Sequence, residues 1–498
     1  MSNMRKLLFA AFALMTVGSL ASAQSYEEFK RQALAEFAQA DSAWRKEYRD
    51  FRDRANSEYA EKMQQAWEEL LGKEPLPAPE PEPPVPPVVL PDLGVPEIIE
   101  DNYLAIEEIV MPPEPQPAPA PVSPIVKPKG PAVPQRSFNA FGSPFSVSLD
   151  VAKLPSLGGT NEASVSKMWK ALSASEYDAT LADLLALRKE MDLCDWAYYE
   201  LIKALADNVY PGAPDAATVF CAFALCQSGF KLRIARATKD NSLHMVIATD
   251  NMVYDHPYWV LGGATYYLMD NSRMTSLRIF RDAFPGEKVM RLAFTEKNRL
   301  PVSLTDRKER RSDRYPDVRT VTQVNKNLLD FYAHYPESFI NNDTRTRWRF
   351  YAVDLSEEVK SALYPVLRSA IAGKSELDAV NILLDYVQTG YEYEYDDVVW
   401  GADRAFFPDE TLYYPYCDCE DRSIFFSRLV RDLVGLKVTL VYYPGHLATA
   451  VHFNEQVTGD YVMVGKDKYI VCDATYINAP AGMTMPGADN STAFLMPL

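Results

Sequence analysis

Tyr416-Cys417-Asp418-Cys419-Glu420-Asp421-Arg422-Ser423 opens the most informative stretch of this 498-residue chain. Pro415 and the polar residues around Asp418 suit a loop. From Glu420 onward, Ile424, Phe425, Leu429 and Leu433 recur at helical spacing, and Gly435 closes the run. This predicts a helix with Cys419 at its N-terminus. Lys437 to Tyr443 then reads as a strand, Pro444-Gly445 as a turn, and Leu447 to Phe453 as a second strand opened by His446. A third strand, from Lys468, ends at Asp473.

A cysteine at a helix N-terminus meets orphan N–H groups and the positive end of the helix dipole, which favour a thiolate. The same N–H groups suit an oxyanion. Glu420 and Asp421 oppose the thiolate, so the thiol needs an imidazole partner. Of the five histidines only His446 and His452 follow Cys419, and His446, beside the turn, is the better placed. Asp473 is the candidate that orients the imidazole, while its neighbour Cys472 should point to the other face of the strand. Tyr413, Tyr414 and Tyr416 are candidates for lining a substrate cleft or donating to an oxyanion. Cys417 is read as a loop residue, the alternative being a labile bridge to Cys419. A metal site from Cys417, Cys419 and a histidine is disfavoured, because Cys-x-Cys lacks the two-residue separation usual in zinc knuckles. No metal or other cofactor is expected.

The ordered set resembles the transglutaminase-like superfamily of papain-type folds: Cys-Glu-Asp opening a helix that closes with Arg431 and Gly435, strand–turn–His446–strand, and a strand ending in Asp473. The resemblance spans roughly residues 375–486. It implies an α+β papain/transglutaminase-like core in which Cys419 is nucleophile, His446 general base and acid, and Asp473 the orienting residue.

An earlier segment repeats the pattern. Asp215 and Gly229 are separated by fourteen residues, as are Asp421 and Gly435. His244 then parallels His446 and Asp270 parallels Asp473, while Ala213 takes the place of Cys419. Trp196 to Asn208 parallels Ala379 to Tyr391. A methyl group cannot attack a carbonyl, so this segment reads as a degenerate, catalytically dead copy; chance similarity of two α+β segments is the alternative.

The rest of the chain frames these two segments. Arg5 and Lys6, the apolar run Leu7 to Leu20, and Ala21-Ser22-Ala23 form an export signal, with the mature chain expected to begin at Gln24. The apolar run falls short of the ~20 residues that span a bilayer, and no later segment is apolar enough to anchor the mature chain. Tyr26, Phe29, Ala33, Phe37, Ala40, Trp44, Tyr48, Phe51 and Ala55 follow an eleven-residue rhythm continued by Tyr59, Met63, Trp67 and Leu70. This predicts a long amphipathic helix over 25–72, its stripe serving either self-association or partner docking, or folding back on its own protein. Much of the chain's proline lies in 74–136, which reads as an extended spacer without a core. Within it, Ile98 to Met111 is a candidate docking element. The expected organisation is signal peptide 1–23, helix 24–73, Pro-rich linker 74–136, degenerate transglutaminase-like domain 137–285 and triad-bearing domain 286–498.

A net charge of −17 argues against nucleic acid or an anionic membrane as partner. Six cysteines in a chain this long are not a disulfide scaffold, and Cys221 and Cys226, five apart, would lie ~140° apart round a helix. The functional expectation is an exported enzyme of the bacterial periplasm or exterior. It would hydrolyse or transfer amide acyl groups of a peptide, protein or peptidoglycan substrate through a Cys419 thioester. The alternative is an inert cell-envelope binding or scaffold protein built from the same parts.

Overall fold

The computed structural model describes residues 46–77, 86–91, 99–109, 117–122, 125, 132–270, 272–340 and 343–498. The signal peptide, the first half of the predicted N-terminal helix and parts of the Pro-rich segment lie outside the described residues.

The fold is mixed α+β, organised around two curled sheets, the first antiparallel and the second antiparallel except for its two edge strands, which pair in parallel. In the first, the strands run Glu68–Leu71, Ser276–Ile279, Leu232–Ala237, Leu243–Ala248, Ala264–Leu268 and Tyr258–Leu261 in spatial order. In the second, the order is Glu107–Glu108, Phe494–Pro497, Lys437–Tyr443, His446–His452, Asp467–Cys472, Asp460–Val464 and Asn102–Tyr103. Each sheet is preceded in sequence by one helix, Pro214–Gln227 for the first and Cys419–Leu433 for the second. Chain order and spatial order therefore correspond strand for strand through five neighbouring strands, which are the centre of the second sheet and all but the 68–71 strand of the first.

The second sheet carries its core on both faces, which is why Val438 to Tyr443 are all buried rather than alternating in and out. Leu440 and Tyr442 pack with Ile424 of the helix, whereas Val441 and Tyr443 pack with Leu104 and Ile106 of the Pro-rich segment. The edge strands 102–103 and 107–108 are joined by only three residues. Four Cα steps of 3.8 Å limit their separation to ~15 Å, whereas six flat inter-strand spacings would need ~29 Å. The sheet must therefore curl nearly closed, with Leu104 and Ile106 filling its inside. Pro444-Gly445 makes the sharp reversal between Tyr443 and His446, with Gly445 at φ +73, as a type II turn requires.

Two expectations about the N-terminal parts are corrected. The helix ends near residue 62, and Glu68–Leu71, predicted helical, is an edge strand antiparallel to Ser276–Ile279. Unpaired backbone groups at that sheet edge offer the chain a full set of hydrogen bonds. From Ala55 to Trp67 the stripe folds back on its own protein, one of the two readings offered by the sequence: Ala55, Tyr59, Met63 and Trp67 are buried in the first core, while Phe51 is exposed. The Tyr59 ring lies 5.1 Å from Trp169 and 4.9 Å from Phe280. Asn56 exchanges hydrogen bonds with Gln227, and Arg52 grips Asp178 at 2.6 and 3.2 Å. Partner docking through this part of the stripe is excluded by that burial.

The described Pro-rich pieces are straps rather than a detached spacer. Leu76 bridges to Tyr254, Val89 to Ile477, and Ala120 presses on Gly229. A Cβ at Gly229, which has φ +95, would stand 2.0 Å from the Ala120 carbonyl oxygen, so only glycine admits the strap. Lacking a core of its own, the segment gives its backbone hydrogen bonds and a few apolar side chains to the two sheets. The first core also runs past residue 285, taking in Met290, Leu292, Leu300 and Phe331.

Candidate active site

Cys419 is the first residue of its helix, after the cap Asp418. The cap is rigid because the Asp421 carboxylate accepts from the backbone N–H of Phe406 at 2.7 Å and of Asp418 at 3.3 Å. Ser423 ties the helix to the neighbouring strand by donating to the Leu447 carbonyl at 2.7 Å. His446, at the start of that strand, accordingly lies over the helix N-terminus. Cys419 and His446 line one cavity of about 60 Å³ together with Trp348, Tyr393, Tyr395 and Tyr442.

Asp473 follows the next strand and bonds His446 Nε2 at 2.8 Å, with each side chain about 1% exposed. Its other oxygen accepts from the N–H groups of Thr475 and Tyr476. The loop carrying it is held from behind by Gln388, whose amide donates to the carbonyls of Asp473, Tyr476 and Ala479. Arg422, fully buried, donates to the carbonyls of Gln388 and Tyr391. Thr449 fixes the Cys472 carbonyl at 2.5 Å. The Nδ1 of His446 is buried without a hydrogen-bond partner among the described residues. The imidazole thus has one nitrogen committed to Asp473 and the other without a hydrogen-bond partner among the described residues.

The sulfur does not reach that nitrogen in this arrangement; the Cys419 thiol donates instead to Glu420 Oε2 at 3.1 Å. Burial, then the charges of Glu420 and Asp418, push the thiol well above its ordinary range, and the Leu447 N–H only partly offsets them. The carboxylates thus oppose the helix terminus, as the sequence suggested for Glu420, with Asp418 as the second opposing charge on the thiol. Asp396 is raised to about 8 by burial and by Glu420. Asp418 and Asp421 are raised well above ordinary carboxylates for the same reasons, burial first. Oxygens of Asp396, Asp403 and Glu420, and of Asp396, Asp418 and Asp421, lie within 4.8 Å of one another. These are the residues that could hold a cation, and protons shared among them also relieve the repulsion.

The three tyrosines named from sequence do not line this cavity. Tyr414 packs on Trp400 and Phe406 and accepts from Arg404 at 3.2 Å, Tyr413 lies against Tyr414, and Tyr416 is exposed. The chain turns at Pro415, and residues 416–417 pair in parallel with Glu392–Tyr393, which swings Tyr393 and Tyr395 into the cavity instead. Cys417 is buried in the second core, Cys472 faces that core too, and all six cysteines are free. Only Arg422 had a sequence signal: it stands four residues before Phe426 on the buried side of the helix. Gln388 and the cavity aromatics come from segments whose spacing gave no hint.

In the first sheet, Ala213 caps the helix Pro214–Gln227 and is exposed. His244 bonds Asp270 through Nδ1 at 2.6 Å and Ser242 through Nε2 at 2.8 Å. Both of its nitrogens are therefore occupied. No family model matches the chain, and no curated protein matches it at significance.

Proposed function

We propose that this chain is an exported cysteine enzyme that hydrolyses or transfers amide acyl groups of a peptide, protein or peptidoglycan substrate. We read its C-terminal part as transglutaminase-like and the preceding sheet as a degenerate copy; the matching strand order of the two sheets supports the second of these readings. One observation carries the activity: a buried His446 with Nε2 on Asp473 and Nδ1 unpartnered, in the same cavity as the Cys419 sulfur.

The chemistry follows from that pairing. A side-chain rotation moves the thiol proton from Glu420 toward His446 Nδ1. Sγ then attacks the carbonyl carbon, and the S–C bond forms as the C=O π pair moves onto oxygen. The first-turn N–H groups, which have no intrahelical acceptor, face that oxyanion. Collapse breaks the C–N bond, and the imidazolium gives its proton to the departing amine. Water or a second amine then displaces the thiolate from the thioester. Asp473 holds the ring in one tautomer and offsets its positive charge.

A second reading, an inert envelope scaffold, is favoured by the bond from the Cys419 thiol to Glu420 and the small cavity. Alkylation with iodoacetamide under native conditions, followed by peptide mapping, separates the two. The enzyme reading expects Cys419 to react at least about tenfold faster than the deeply buried Cys194, and His446→Ala to abolish that advantage. Equal rates, unchanged by His446→Ala, would leave the scaffold.

A further inference from the structure

A cavity of about 760 Å³ lies in the first unit around His244 and Asp270. Its size is that of a small-molecule or side-chain site, and it is more than ten times the volume of the cavity at Cys419. Helix Asp195–Val209 supplies one wall with Trp196, Tyr199 and Glu200, and the 333–337 segment supplies another with Tyr335 and Glu337. Six carboxylates line it against a single lysine, Lys203. That lysine is already paired with Asp207 at 2.6 Å, and Asp270 is taken by His244. Asp215 accepts from the Leu243 N–H at 2.7 Å, and Asp255 pairs with Arg273 at 3.6 Å. Glu200, with His334 as the cation acting on it, and Glu337, whose cation Arg347 stands 3.8 Å away and is itself paired with Asp403, are the carboxylates least neutralised by their neighbours. Tyr254, 5% exposed, also lines the space, and its hydroxyl has no hydrogen-bond partner among the described residues.

Aromatic faces combined with surplus carboxylates are the recognition chemistry of an organic cation: ring quadrupoles and negative charge both favour an ammonium, while the apolar walls accept its alkyl stem. We propose that this cavity is a binding site for an alkylammonium group, the side chain of a lysine-bearing peptide or a free diamine, with Glu200 and Glu337 as its anionic contacts. Burial pushes both carboxyls up to about 7, so an arriving cation would drive a proton off each. The site borders the Cys419 cavity through a single ion chain. Glu337 is 3.8 Å from Arg347, which pairs with Asp403, and Arg347 and Asp403 both line the smaller cavity. The proposal does not depend on catalysis at Cys419.

Isothermal titration calorimetry on the mature full-length protein at pH 7 tests it, with Nα-acetyl-lysine amide, cadaverine and the uncharged Nα-acetyl-norleucine amide as probes. At least one cation should bind at least tenfold tighter than the norleucine probe, with the lysine-to-cadaverine ratio telling a peptide side chain from a free diamine. Its heat should depend on the ionisation enthalpy of the buffer, reporting released protons. Glu200→Gln and Glu337→Gln, checked for unchanged melting temperature, should each weaken it at least fivefold, and Cys419→Ser should leave it unchanged. No binding of either cation at millimolar concentration, equal binding of the norleucine probe, or full affinity in both glutamine variants would overturn the site.

Discussion

Two His–Asp pairs sit at corresponding places in two sheets of like strand order, and their surroundings differ. At His446–Asp473 both side chains are about 1% exposed, the cavity is small, and one imidazole nitrogen is left open beside a cysteine. At His244–Asp270 the aspartate is 34% exposed, the cavity is large, Ser242 takes the second nitrogen, and alanine stands where the cysteine would be. A buried His–Asp bond is therefore by itself only architecture. Under the proposed function, what would make one pair a proton-transfer site is the unpartnered nitrogen and a cysteine lining the same cavity. The open pair has the room to hold a ligand; the closed pair has the exclusion of water that strengthens electrostatics.

Three experiments put that contrast at risk. The largest effect should come from the two aspartates. Asp473→Asn removes the charge that orients and stabilises the imidazole, so Cys419 alkylation and amide turnover should fall by about a hundredfold or more. Asp270→Asn should change neither. Equal responses would mean that the two pairs are equivalent and that neither acts on Cys419.

Glu420→Gln tests the brake on the thiol. It keeps an oxygen able to accept from the thiol but removes the carboxylate charge, the largest charge opposing the thiolate. The thiol should become more acidic, and alkylation at pH 7 should rise by roughly tenfold, the equivalent of ~1.4 kcal/mol between the thiol and thiolate forms. A pH profile of the alkylation rate that does not move to lower pH would remove Glu420 from this role.

The smallest effect is on stability. Asp396 at about 8 and Glu410 and Glu337 at about 7 are raised, chiefly by burial, above the values they regain on unfolding. Between the ordinary carboxylate range and pH 8 the folded chain therefore binds more protons than the unfolded one, so unfolding free energy falls as pH rises. Their contribution is fully present below about pH 4 and is lost as pH climbs through 7 to 8. Calorimetry should find the melting temperature roughly 2–5 °C lower at pH 8 than at pH 5, and Asp396→Asn should flatten that slope. A melting temperature that rises over the same interval would place the stability balance with the salt-bridged carboxylates instead.

Local pattern was enough to read the helix that Cys419 begins, the His446 hairpin and the strand before Asp473, because hydrophobic spacing, a Pro-Gly turn and a terminal glycine act within a few residues of themselves. It was enough, too, to align Ala213, His244 and Asp270 with their counterparts. It was not enough at 68–71, where helical periodicity lost to an open sheet edge more than two hundred residues away in sequence. Nor could it choose among aromatics: Tyr413, Tyr414 and Tyr416 are near Cys419 along the chain, but Tyr393, Tyr395, Tyr442 and Trp348 are near it in space.

Which residues are candidates for chemistry, and the local elements that carry them, were legible in residue type and short-range spacing. The folded arrangement alone settled that the Cys419 thiol donates to Glu420, that His446 Nδ1 has no partner among the described residues, that the described Pro-rich pieces strap the fold, and that one cavity is wide and the other narrow. Each of these depends on which distant groups share a low-dielectric space, and charge and desolvation there act on the distance between atoms, not on their separation along the chain.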